Sequence, residues 1–171
     1  AISTALHEPM GGTGPKDGVV YLLVAWDGEW PSEGLFASAL PSVVLDAVET
    51  WANAVKGMRV LLYRDAGSRE TPPSMLVFRT TVGARLALRF DVERIEDLVA
   101  FDVPAILAAG GDARATTLEG AHYLVCTHGK RDACCALHGN RVVSALVPYA
   151  GARVLRVSHL GGHRFAAVVV T

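Results

Sequence analysis

Apolar runs of strand length recur along this chain in one order that appears twice, and that order demands a layered sheet. Val19 to Ala25 is a continuous apolar and β-branched run, as in a strand buried on both faces. A turn-like break follows from Trp26 to Pro31. Ser42 then reads as a helix cap, and Val44, Val48, Trp51 and Val55 recur at helical spacing before a stop at Gly57. Arg59 to Tyr63 reads as a second strand and Asp65 to Ser74 as a loop. Met75 to Thr80 and Leu86 to Phe90 read as an antiparallel pair turning near Gly83. Asp91 to Phe101 suits a short helix with Ile95, Leu98 and Val99 facing inward, and Pro104 to Thr117 reads as a connection.

The order then returns. His122 to Cys126 is strand-like, a helix is expected from about Asn140 to Val147, ended by Pro148, and Arg153 to Val157 and Phe165 to Val170 read as strands. Tyr21 to Val24 corresponds to Tyr123 to Cys126, and Arg59 to Leu62 to Arg153 to Arg156. The expected class is α/β, thioredoxin-like, as two degenerate halves with mixed sheets: residues 1–103 without ligands and residues 104–171 with them. The competing reading is that ordinary α/β chains repeat this order without duplication.

Ligand-forming side chains are concentrated in the second half. All three cysteines lie between Cys126 and Cys135, and five of six histidines between His122 and His163. A structural disulfide framework spreads its cysteines along the chain, so this clustering points to metal or redox chemistry instead. Cys126 stands at a strand end, followed by a polar loop with Gly129, Lys130, Arg131 and Asp132. His159 and His163 flank Gly161 and Gly162, which favour a tight loop over a helix.

Two thiolates and two imidazoles satisfy a [2Fe-2S] cluster, and equally a tetrahedral zinc ion. The eight residues between Cys126 and Cys135 exceed the usual two-to-four spacing of structural zinc and suit wrapping a cluster. Cys126 with His128 and Cys135 with His138 form a competing set resembling Rieske loops. Only six residues separate His128 from Cys135, too few for two separate ligand loops, and His159 and His163 stay unassigned. A thiol redox protein using Cys126 with Cys134 or Cys135 is a further reading, without the C-x-x-C spacing of a thioredoxin.

The segments Val125 to Ala136 and Ser158 to Ala166, with Gly12 to Val24 and Glu29 to Pro31, resemble the sucrase/ferredoxin-like family of thioredoxin-like [2Fe-2S] ferredoxins. The resemblance implies Cys126 and Cys135 as thiolate ligands, His159 and His163 as imidazole ligands, and Cys134 as a non-ligand. It implies an electron carrier with a redox partner protein, not a catalyst. Around the ligands, His128 is expected to donate a hydrogen bond. Lys130 and Arg131 are expected to offset cluster charge, dock an acidic partner, or simply face solvent.

Bulk properties exclude other classes. Half the residues are hydrophobic (51%), 19% are charged, and the net charge is -1, so no basic surplus marks a nucleic-acid binder. No apolar run approaches the roughly 20 residues of a membrane span. The first residues show no basic segment followed by an apolar stretch, which predicts a cytoplasmic protein.

Overall fold

The computed structural model describes residues 19–161 and 166–171. The lead-in expected before Val19, the end of the expected loop at Gly162 and His163, and Arg164 and Phe165, where the last strand was expected to begin, lie outside them. The fold is a mixed α/β arrangement around one sheet. In chain order the strands are β1 (Val20–Ala25), β2 (Met58–Asp65), β3 (Ser74–Arg79), β4 (Leu86–Asp91), β5 (Thr116–Thr117), β6 (Tyr123–Cys126), β7 (Val154–Val157) and β8 (Val169–Val170). The helices are α1 (Ser42–Ala54), α2 (Val103–Ala109) and α3 (Ala133–Ala150). No described helix is long and apolar enough to cross a membrane.

The sheet order is β5-β4-β3-β1-β2-β7-β6-β8. β1 and β2 are parallel across α1, β6 and β7 are parallel across α3, and β3 and β8 lie antiparallel to β1 and β6. The two parallel pairs meet antiparallel at a short seam, where Tyr63, Arg64 and Asp65 face Val157, Arg156 and Leu155. Through this register Ala25, Tyr63, Val157 and Cys126 form one row across the sheet. The segments leaving β1 and β6 therefore start from the same row, separated by two strands and heading in opposite directions: Trp26 N–H donates to the Tyr63 carbonyl, and Thr127 N–H to the Val157 carbonyl.

Every residue of β1 is buried, as its continuous apolar run requires. On one face Leu22, Val24, Leu62 and Val77 pack against Val44, Val48 and Trp51 of α1 and Ile106 and Leu107 of α2. Val125 and Val154 continue this face under Val143 of α3. The other face carries Tyr21, Leu23, Tyr63, Leu76, Leu124 and Leu155, with Leu118, Leu160 and Val168 packed on it. Burying each such large side chain contributes about 1.5–3 kcal/mol.

Several elements differ from the sequence expectation, each for a local reason. Ser42 is the first residue of α1, and Pro41 holds the cap position. The short helix is a 3-10 segment, Ile95–Ala100, in which residues three apart eclipse; Leu98 is buried while Val99 turns out to 42% exposure. The expected connection after Pro104 contains α2, because Asp102 accepts from Ala105 N–H and Gly110 closes the helix at φ 74°. α3 begins at Ala133, not Asn140, and runs through Pro148 to Ala150. In the last turn a proline forfeits one backbone bond without ending the helix. The final strand is only Val169–Val170.

Candidate metal centre

Three elements deliver three donors to one place. Cys126 ends β6, with its N–H donating to the Val168 carbonyl. Cys135 sits in the first turn of α3, where Asp132 caps the helix by accepting from Cys134 N–H at 2.8 Å. Cys135, Gly139 and Val143, spaced by four, form the buried stripe of that helix. Gly139 is what lets the helix lie so close. A Cβ there would stand 2.1 Å from the Cys126 carbonyl oxygen. His159 follows β7 between two pinned residues. Ser158 exchanges bonds with Leu62, N–H to carbonyl at 2.9 Å and hydroxyl from N–H at 3.0 Å; Arg59 donates to the Leu160 carbonyl at 3.0 Å.

The donor atoms of Cys126, Cys135 and His159 all lie within 4.8 Å of one another, and both cysteines are fully buried. Cys126 Sγ stands 4.0 Å from His159 Nδ1. Burial, and next the charge of the Cys126 sulfur, push the Cys135 thiol up to about 12. An uncompensated pair of thiolates is therefore costly here, and a cation bound between them would supply the missing charge. Two soft sulfurs and an imidazole are the donor set of zinc and of iron–sulfur centres, not of magnesium or calcium.

The fourth expected ligand, His163, lies outside the described residues. Cys134 is half-buried and is not in the group, and neither is His138. His128 is almost fully buried and Nε2 faces the Trp30 carbonyl at 3.2 Å, while Nδ1 finds no partner. Burial pushes its basicity down, so the ring is neutral near pH 7. Lys130 pairs with Glu29, and Arg131 donates to the Ser32 carbonyl at 2.9 Å. All three residues thus tie the cysteine-bearing loop to the segment after β1. That segment had read only as a break between elements, with no pattern to reveal its partner about a hundred residues away. Arg64 fixes its start, donating to the Trp26 and Asp27 carbonyls, each at 3.1 Å, and lying 4.6 Å over the Trp30 ring.

A family model described as sucrase/ferredoxin-like matches residues 19–171. The chain belongs to the sucrase/ferredoxin-like family. No curated protein and no solved structure matches it. The sucrase/ferredoxin-like match spans both parallel strand pairs, the donors Cys126, Cys135 and His159, and the position of His163.

Proposed function

We propose that the chain is an electron carrier holding a [2Fe-2S] cluster through Cys126, Cys135, His159 and His163. The observation that carries the reading is the convergence of two buried thiols and an imidazole, from three separate elements, in a member of this family. When bound, such a cluster supplies one-electron transfer. The chain's own part is to hold the sulfurs out of water, to fix His159 between Ser158 and Leu160, and to brace the cysteine loop against residues 29–32. The electron is exchanged with a redox partner protein. The paired arrangements β3-β1-β2 and β8-β6-β7 support descent from a duplicated thioredoxin-like unit. An experimental structure in which the two do not superpose removes that duplication.

A second reading, a structural zinc ion on the same residues, is favoured by the closeness of the donors, all three of which lie within 4.8 Å of one another, as around a single ion. With bonds of about 2.3 Å to sulfur and about 2.05 Å to nitrogen, a tetrahedral sulfur–nitrogen edge spans about 3.6 Å. The 4.0 Å between Cys126 Sγ and His159 Nδ1 is close to that edge. Protein purified without oxygen separates the readings. Sulfide-to-iron absorption in the visible, with about two irons and two acid-labile sulfides per chain, establishes the cluster. A colourless protein with about one zinc per chain replaces it with the structural ion.

A further inference from the structure

The helix-free face of the sheet bends into a trough. β3 and β6 stand four places apart in the strand order, which is about 19 Å on a flat sheet. Yet the rings of Phe78, on β3, and His122, directly before β6, have centroids only 5.5 Å apart. The chain from β5 to β6 passes over this face: Leu118 packs on it, and its N–H donates to the Ala87 carbonyl. Beside that crossing opens a cleft of about 340 Å³, floored by Leu76, Leu118 and Leu155. A volume of that order holds a small organic ligand, and the open end of a curled sheet is a common place for one. None of the metal donors lines this cleft, and His122 on its wall precedes Cys126 by four residues, roughly 13 Å of strand.

Three charged side chains line the cleft, Arg89, Arg153 and Glu119, and they differ in what they already hold. Arg89 donates from Nε to Asp91 at 2.7 Å and stands 4.0 Å from Asp65, so two carboxylates offset its charge. Arg153 has neither a hydrogen bond nor a carboxylate partner among the described residues. It is not loose, however. Its Nη1 packs against Gly120, 2.9 Å from where a Cβ would stand, and Gly120 holds the φ of 76° that favours glycine. The turn thus seats an unspent guanidinium beside an apolar floor. A carboxylate meets the two parallel N–H groups of such a fork. Glu119, together with Asp65 and Asp91 beside Arg89, makes a second negative charge on the guest unfavourable. The three leucines call for an apolar body.

We propose that this cleft is a binding site for an apolar monocarboxylate, its carboxylate on the Arg153 guanidinium and its body on Leu76, Leu118 and Leu155. The test does not depend on which metal the cysteines hold.

The test is calorimetric titration of the purified protein with 2-naphthoate and with 2-naphthamide, which has nearly the same shape and no charge. Saturable one-site binding of the naphthoate is expected, with the amide roughly tenfold weaker or worse, as loss of one charge-assisted pair implies. Arg153 is exposed, so its replacement spares the core. Arg153→Gln should bring naphthoate down to the affinity of the amide and leave the amide within about threefold. Glu119→Gln removes the opposing charge and should leave naphthoate binding equal or tighter. Ala152→Trp, at an exposed position on the wall, fills the cleft and should weaken both compounds. Equal affinity for naphthoate and amide, or no saturable binding to the unaltered protein, overturns the proposal without reference to any variant. Tighter binding of 2-naphthyl phosphate than of naphthoate would make this a phosphate site and overturns it too. So does undiminished naphthoate binding by Arg153→Gln or Ala152→Trp.

Discussion

Gly139 faces a backbone oxygen at a distance no Cβ tolerates, and the usual arithmetic of helix propensity reverses there. Glycine to alanine inside a helix ordinarily gains up to about 1 kcal/mol. At Gly139 the added methyl would press on the Cys126 carbonyl, so Gly139→Ala should lose about 1–3 kcal/mol in denaturant unfolding, and metal per chain should fall with it. A variant more stable than the parent would show that α3 does not rest on Cys126 as described. Tyr63, fully buried with its hydroxyl 2.6 Å from Ser74 Oγ, makes a prediction in pH. Burial raises its phenol to about 12, against an ordinary value of 10.0. The folded state therefore holds the proton more tightly, and this contribution is complete below pH 10 and lost as pH rises through 12, roughly 2–3 kcal/mol in all. Tyr63→Phe gives up the bond to Ser74 but cannot ionise. Its stability deficit against the parent should narrow between pH 9 and pH 12, which denaturation at a series of alkaline pH values reads directly.

Helix α3 shows what at the level of elements was legible in the chain and what was not. The polar run Gly129 to Asp132 and the glycine at 139 read as loop, which placed the helix start seven residues late. Asp132 carried the signal that was missed, an acidic cap directly before Ala133. Asp132→Ala should cost about 1 kcal/mol and loosen the turn that carries Cys135, while Asp132→Asn, an equally good cap, should cost far less. Unfolding midpoints of the two variants check this; equal midpoints would assign the cap no weight. α2 was hidden in the same way between Asp102 and Gly110, and the inward face of the 3-10 segment was misread because helical spacing of 3.6 was applied where the period is three. By contrast β1, β2, β3 and β4 were legible to within one or two residues: β1 and β3 are buried almost throughout and write unbroken apolar runs, while β2 shows an apolar centre and β4 alternates, with Leu88 and Phe90 inward.

Across the whole molecule, the donors bind the two-stranded unit β6–β7, α3 and the loop after β7 into one structure, so occupancy should be felt as global stability. A chelator should lower the unfolding temperature of the parent and leave that of Cys126→Ala unchanged, because only a ligand that binds the folded state shifts the equilibrium. An identical response in both proteins would detach the metal from these residues. Cys126, Cys135 and His159, the candidates the fold brings together among the described residues, could be picked out because cysteine and histidine are scarce and clustered. The contact of residues 30–35 with His128 and Arg131 could not, because it arises only through the antiparallel seam of β2 and β7, which no local pattern encodes. That seam also divides the labour between stretches of the gene. The described donors come from codons 126 to 159, while Trp30, Leu35, Val60 and Leu62, which share a wall with His159, come from the stretch before it. Mutational drift in the earlier stretch can therefore reshape the wall beside His159 without replacing any of the described donors.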